Sequence, residues 1–164
     1  MNVTRTDLAW LAGFMDGEGT IGLHRSNAKS YPHPYIRPTF QVPNTDMRLI
    51  KRVVEIIEGV GCKASVCVSF KGGNGCKKAW RARVHAQKDL VILLPLLIPY
   101  LVSKDEQARL ALEFCMRRSK RLNTKHWYEF KAADEAAYTQ CLLLNKRGDG
   151  SPRDEPKLSL VVNG

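Results

Sequence analysis

The sequence predicts an α+β fold in which helices back one face of a four-stranded antiparallel sheet. Two observations predict it. Four segments alternate apolar and polar residues with a period of two, and the segments between and after them repeat apolar residues at helical spacing. In chain order these segments form an αββαββα core followed by C-terminal helices. Because each strand has one apolar side, helices are expected to cover that side of the sheet.

The predicted elements follow one another with short connections. They are a helix that Thr4 or Thr6 can cap and that runs through 8–15, strands at 20–25 and 35–42, a helix at about 46–57, strands at 63–70 and 80–85, and helices at about 87–97, 103–118 and 125–145. Glycines at 71–75 indicate a hairpin between the last two strands. Ser103 and Glu106 are spaced as a capping box for the helix that begins at 103.

Length and composition bound the class of protein. The 164 residues suit a single domain, with a core at about 6–118 and a C-terminal helix and tail at 119–164. A formal net charge of +10 is typical of proteins that bind nucleic acid, although charge alone leaves an anionic membrane surface open. The five cysteines have no zinc-ribbon spacing and the N-terminus has no secretory signal. We therefore expect free thiols and an intracellular location, in a prokaryotic cytoplasm or an organelle interior.

The polar sides of the predicted strands lack acidic residues, although the chain has 16 of them. An ordinary solvated face is the alternative interpretation. The composition favours a DNA-binding face, because Arg pairs with guanine edges, Gln with adenine, and Ser or Thr with either. Lysines in or near the loops suit phosphates. The candidate DNA-binding residues are His24, Ser26, Lys29, Tyr35, Arg37, Thr39, Gln41, Lys63, Ser65, Ser69, Lys71, Lys77, Arg81, Arg83 and His85.

The strongest chemical signal is the nonapeptide at 11–19, LAGFMDGEG. Gly13 and Gly17 are four residues apart, so they share one side of a helix, and Ala12 is also small. A second backbone could approach such a surface closely. The helix ends beside Asp16 and Glu18, where its partial negative charge disfavours acids without a cation. Bound Mg²⁺ would resolve this conflict, and a helix end followed by solvated acids is the alternative.

This nonapeptide resembles the signature of the LAGLIDADG homing endonucleases almost position by position. The order of elements over about 8–114 is also similar to that family's αββαββα core. One copy of the motif is present, as in the branch whose members act as homodimers. The resemblance implies a site-specific, divalent-metal-dependent endonuclease of intron homing. Such an enzyme hydrolyses both strands of a long, near-palindromic DNA site and leaves short 3′ overhangs. Mg²⁺ is the implied cofactor, with Mn²⁺ or Ca²⁺ able to replace it in binding.

The resemblance also implies roles for the motif residues. Glu18 occupies the position of the family's metal-binding carboxylate, and the carbonyl of Gly17 would be a further metal ligand. Asp16 would support the helix end rather than bind metal. The implied dimer contact contains Ala12, Gly13, Gly17 and Asp16.

Three further residues fall at positions of the family's catalytic site. Asn44 and Arg48 follow a segment that resembles the family's second strand, where polar residues order water and phosphate. Lys104 lies in a segment like the one that bears the family's active-site lysine. The sequence departs from the family twice, with Glu18 in place of Asp and Asn44 in place of a frequent glutamine. Asn44 is therefore equally well interpreted as a turn residue.

A binding protein without nuclease activity is the alternative function. An RNA maturase or a non-cleaving DNA-binding protein of the same fold would share most of these features. The intact acidic pair, Asp16 and Glu18, disfavours an inactive relative. Mg²⁺-dependent nicking of target DNA distinguishes the two classes.

Overall fold

The computed structural model describes residues 2–26, 35–119 and 127–145. Its elements are α1 (Arg5–Glu18), β1 (Thr20–Ser26), β2 (Tyr35–Asn44), α2 (Met47–Gly59), β3 (Ser65–Phe70), β4 (Ala79–Val84), α3 (Gln87–Leu97), a 3₁₀ turn (Ile98–Tyr100), α4 (Asp105–Ser119) and α5 (Trp127–Leu144). The strands form one antiparallel sheet in the order β1-β2-β4-β3. The predicted α+β class and order of elements are confirmed. Among the described helices, none combines the length and apolar character needed to cross a membrane.

The first helix begins where the sequence predicts and ends later. The Thr4 hydroxyl accepts the backbone N–H of Asp7 at 3.2 Å, and the Asp7 carboxylate accepts that of Thr4 at 2.9 Å, a reciprocal cap. The helix continues through the first glycines of the motif and stops at Gly19, where a Cβ atom would clash with the Met15 side chain. Consequently the last turn of α1 carries both acids of the motif.

The core lies between the sheet and the helices. Strand β2 shows the predicted alternation. Ile36, Phe40 and Val42 are buried, whereas Thr39 and Gln41, which alternate with them, are more accessible. Leu94 of α3 and Phe114 of α4 have no exposed surface and pack in the same core. The five cysteines are all free, as predicted.

Strand β3 departs from the prediction that helices cover the apolar side of every strand. Val66, Val68 and Phe70 are 46%, 46% and 48% exposed. In the described chain, helices α1, α2, α4 and α5 pack on the other three strands, and none packs closely on β3. A bulge between Val68 and Phe70 also interrupts the alternation. The expectation is therefore wrong for β3, because an alternating pattern does not say which strand lies at the uncovered edge.

The β3–β4 hairpin turns through two residues with positive φ. Asn74 has φ +50° and Gly75 has φ +78°, the two consecutive positive φ values that a type I′ turn requires and that Asn-Gly favours. Gly73 and Cys76 flank them and exchange two backbone hydrogen bonds of 3.2 and 2.9 Å. The turn predicted at 71–75 is confirmed.

Candidate nucleic-acid interface and catalytic site

The end of α1 meets the beginning of α4 through one carboxylate. Asp16 accepts the backbone N–H groups of Val102 at 2.7 Å, Ser103 at 3.2 Å and Lys104 at 3.1 Å, together with the Ser103 hydroxyl at 3.0 Å. Asp16 therefore ties the end of α1 to the three residues that precede α4, which agrees with its predicted support of the helix end. Its place in a dimer contact stays a prediction. The predicted capping box of Ser103 with Glu106 is wrong, because α4 begins at Asp105 and Lys104, rather than Ser103, is at its N-cap position.

Lys104 lies beside the acidic turn of α1. Its ammonium donates to the backbone carbonyl of Asp16, a residue 88 positions away in sequence. Burial lowers the pKa of Lys104, while the charges of Asp16 and Glu18 act in the opposite direction. The fold thus brings together the lysine and the two acids that the sequence placed in one site.

Glu18 differs from Asp16 in its surroundings. It is the last residue of α1 and is exposed, and within the described residues no hydrogen bond engages its carboxylate. Its carboxylate and the carbonyl of Gly17 are oxygen ligands of the kind that Mg²⁺ prefers. No group of three His, Cys, Asp or Glu residues in the described part of the chain could hold a metal ion. The residues fit a magnesium site that takes its remaining ligands from outside the protomer.

Asn44 and Arg48 lie at the junction of β2 and α2. The Oδ1 atom of Asn44 accepts the backbone N–H of Asp46 at 2.8 Å, so the turn role of Asn44 is observed. Arg48 is 90% exposed at its side chain and donates to both oxygens of Asp46. These hydrogen bonds lower the pKa of Asp46 to about 2. Among the described residues, no hydrogen bond or ion pair links this junction to Glu18 or Lys104.

The solvent-facing side of α1 has exposed glycines and a pair of stacked aromatic rings. Gly13 and Gly17 are exposed, and a Cβ atom at either would meet nothing within 4 Å. Trp10 is 37% exposed and stacks on Phe14 with ring centroids 5.3 Å apart. Ala12 is fully buried in the core of its own protomer, so its predicted place in a dimer contact is wrong. Sequence reasoning missed the two aromatic residues, whose spacing from the glycines places them on the same helix side.

The strand register places the polar candidates on one face of the sheet. Arg37 lies opposite His24, and Gln41 lies opposite both Thr20 and Arg83. We call this surface the polar face, and its members are Thr20, His24, Ser26, Tyr35, Arg37, Thr39, Gln41, Ser65, Cys67, Ser69, Arg81 and Arg83. Thr20 and Cys67 had not been selected from the sequence.

The other candidates lie around this face. His85 follows β4 and lines a cleft that Arg37 and Arg83 of the polar face also line. Lys63 precedes β3, and Lys71 and Lys77 are exposed in the hairpin. Lys29 is outside the described residues. Lys63, Lys71 and Lys77 therefore add positive charge beside the β3 and β4 part of the polar face.

The polar face holds arginine donors that the protein itself leaves unused. The Nε atoms of Arg81 and Arg83 are buried, yet neither has a hydrogen-bond partner in the described structure. Partial burial lowers the pKa of His85, and the charges of Arg83 and Arg37 lower it further. An anionic ligand on this face would relieve the repulsion that Arg83 and Arg37 exert on a protonated His85.

Helix α5 adds a second wall to the cleft above the polar face. Tyr138, Leu142 and Asn145 line it together with strand residues such as Arg37 and Arg83. Sequence reasoning missed these three residues, since nothing in a helical pattern says which side will face a distant strand.

Solved structures similar to this one are homing endonucleases. The homing endonuclease I-CvuI, solved in complex with DNA, is 23% identical, with a TM-score of 0.66 over 88% of this chain and 85% of that one. The archaeal intron-encoded homing endonuclease I-Vdi141I, complexed with DNA, is 13% identical, with a TM-score of 0.65 over 87% and 86% of the two chains. The LAGLIDADG homing endonuclease I-GzeII is 17% identical and scores 0.56, matching 87% of this chain but 44% of its own. The chain has the LAGLIDADG homing-endonuclease fold.

The LAGLIDADG resemblance predicted from the nonapeptide is thereby confirmed for the fold. Neither a family model nor a curated protein sequence matches the chain. In this LAGLIDADG fold the motif residues 11–19 form the second half of α1 and its C-cap. The single-motif homodimeric branch stays a prediction.

Proposed function

We propose that the protein is a site-specific homing endonuclease that acts as a homodimer and hydrolyses both strands of DNA with a divalent metal ion. The observation that carries the proposal is the contrast between the two motif acids. Asp16 accepts hydrogen bonds from the segment that precedes α4, whereas Glu18 is open to solvent beside Lys104. A free carboxylate next to a lysine, near a basic face with unused donors, suits phosphodiester chemistry.

The polar face is the proposed DNA surface. Arg37, Arg81 and Arg83 of this face would donate to acceptors on base edges, and lysines around the face would contact phosphates. Solved complexes of I-CvuI contain target DNA with 2 mM Mg or 2 mM Ca. We propose the same partner, double-stranded DNA, and the same class of ion, with Mg²⁺ for cleavage.

The outer side of α1 is the proposed dimer contact. Gly13 and Gly17 leave room for a second backbone, and the Trp10–Phe14 stack supplies apolar area to bury. An isologous contact through these residues would bring the two Glu18 carboxylates to the same axis. Twofold symmetry of this kind matches a near-palindromic site.

Protein groups divide the catalytic work. A divalent ion held by Glu18 and the Gly17 carbonyl would supply Lewis-acid stabilisation of the phosphate and a more acidic water. Asp16 fixes the acidic turn to residues 102–104 and thereby sets the position of Lys104. The Lys104 ammonium would offset negative charge that develops on the phosphate. Arg48 is exposed enough to exchange its Asp46 partner for a phosphate.

Glu18→Gln tests the catalytic assignment. Removing one charge while keeping the shape should abolish Mg²⁺-dependent cleavage of the DNA that flanks the gene's own insertion point and leave DNA binding intact. Glu58→Gln is the matched control, since Glu58 is also exposed near the end of a helix and lies on α2. Wild-type cleavage by Glu18→Gln, or its loss in Glu58→Gln, contradicts the assignment.

Gly13→Leu tests the dimer. A Cβ atom at this exposed position meets nothing within 4 Å and leucine raises helix propensity, so thermal stability of the protomer should not fall. Sedimentation should show that the variant no longer dimerises, whereas Ala136→Leu, an exposed change on α5, has no effect. A Gly13→Leu protein that remains dimeric on DNA would place the contact elsewhere.

A further inference from the structure

Helix α5 closes the free edge of β1. The Cys141 thiol sulfur accepts the backbone N–H of Leu23 at 3.1 Å and lies 3.8 Å from the carbonyl oxygen of the same residue. Gly22 has φ +152°, and a Cβ atom there would lie 2.8 Å from the Cys141 sulfur. The close approach of α5 to this edge therefore depends on a glycine in β1.

Ion pairs fix α5 between β1 and α4. Arg25 of β1 pairs with Glu135, and Asp134 pairs with Arg117 at 2.9 Å and with Arg118 at 2.7 Å. These two acids are the acidic residues among the described α5 side chains from 131 onward. Since both are paired with arginine, they oppose an approaching anion far less than free carboxylates would.

The side of α5 toward the cleft is apolar, aromatic and amide in character. Tyr138, Leu142 and Asn145 follow one another at four and three residues, so they share one side of the helix. Leu142 is 47% exposed although it faces a cleft lined by arginines. Apolar contacts to sugars and thymine methyl groups, with amide contacts to phosphates or base edges, are interactions that such side chains make with duplex DNA.

We propose that α5 is a second DNA-binding element, forming one wall of the cleft, and that Tyr138, Leu142 and Asn145 contact the duplex alongside the polar face. This inference rests on the proposed function, because it assigns further contacts to the same DNA. In this arrangement the helix bounds the DNA on the β1 side of the sheet, and the Gly22–Cys141 contact holds that wall in place.

Two neighbouring leucines provide a matched test. Leu142 and Leu143 are 47% and 58% exposed, and of the two only Leu142 lines the cleft. Leu142→Glu and Leu143→Glu change the net charge equally, and thermal melts should confirm that both variants fold. Binding is measured by fluorescence anisotropy with a labelled mixed-sequence DNA duplex in EDTA at low salt. Leu142→Glu should weaken binding at least about tenfold, and Leu143→Glu by no more than about twofold, because repulsion from phosphates falls with distance.

Lysine variants reverse the sign of the test. Leu142→Lys should strengthen binding to the same duplex severalfold, with Leu143→Lys again close to wild type. Equal effects at the two positions would overturn the assignment of α5 while leaving the proposed function standing. A wild-type protein that fails to bind any DNA duplex, or that prefers an RNA duplex of the same sequence, would overturn both.

Discussion

The two edges of the sheet are finished in different ways. At β1 the cysteine of α5 takes up the backbone N–H of Leu23, and Ile21 and Leu23 are at most 7% exposed. At β3 no helix of the described chain covers the strand, and Val66 and Val68 are each 46% exposed. The edge at β1 is therefore part of the folded core, whereas the β3–β4 hairpin is held mainly by strand pairing. The β3–β4 hairpin can therefore change conformation around a ligand at a lower free-energy cost than the β1 edge.

The largest effect is expected where the covered edge is tightest. Gly22→Val should destabilise the protein by about 4 kcal/mol, because it combines a positive φ with overlap on the Cys141 sulfur. Urea unfolding measures the loss. Gly73→Val is the control, since Gly73 has φ +129° but nothing within 4 Å of a Cβ atom, and it should cost about 1–2 kcal/mol. Equal losses at the two glycines would mean that α5 does not press on β1.

The next effect concerns the anchor of α5 on α4. Asp134→Asn should cost about 3 kcal/mol, because Arg117 and Arg118 would keep their largely buried charges without the carboxylate, which is 6% exposed. Urea unfolding again provides the measurement. Asp105→Asn is the control, since its ion pair with Arg109 is exposed and should contribute little. If Asp134→Asn loses as little unfolding free energy as Asp105→Asn, then the ion pairs of Asp134 do not anchor α5, and the β1 edge is not held more firmly than the β3 edge.

A smaller effect compares one residue type across the sheet. Val42 has no exposed surface and Val68 is 46% exposed, although both lie on the helix side of their strands. Val42→Ala should cost about 2.5 kcal/mol and Val68→Ala less than about 1 kcal/mol, since only the first leaves a cavity. If both lose the same stability, then β3 is covered in solution.

The smallest effect is the pH dependence of DNA binding at the polar face, which lies between the two edge strands. Burial, Arg83 and Arg37 hold the pKa of His85 below its usual 6.5, whereas DNA phosphates would raise it. Binding then takes up a proton, so affinity should increase as pH falls through the range between these two pKa values, by at most about tenfold per unit. The same lowered pKa makes folding stability decrease as pH falls below 6.5, because the unfolded chain binds the proton more tightly.

His85→Gln isolates this contribution. Titrations of a DNA duplex at several pH values should show a flatter dependence for the variant than for the wild type. The histidine resonances of the free protein should place the pKa of His85 below 6.5. An unchanged pH profile in His85→Gln would show that other groups take up the proton.

Several features could be predicted from residues that are close together in the chain. Period-two alternation identified β1, β2 and β4, Asn74-Gly75 identified the hairpin, and α3 has the predicted ends. The nonapeptide identified the acidic turn, whose two carboxylates have different roles. Alternation also identified β3 as a strand, but it did not predict that the apolar side of β3 is exposed, since the pattern carries no information about where the helices stop covering the sheet.

The local sequence determined the elements, the polar composition of one sheet side and the acids at the end of α1, because periodicity, turn chemistry and glycine placement act over a few residues. Tertiary structure decided that Asp16 is hydrogen-bonded and that Glu18 is exposed, since the donors to Asp16 come from residues 102–104. It also buried Ala12 within the protomer and laid Cys141 against Leu23. Those outcomes depend on packing between segments that are far apart in the chain, and a local pattern does not specify which distant segments come into contact.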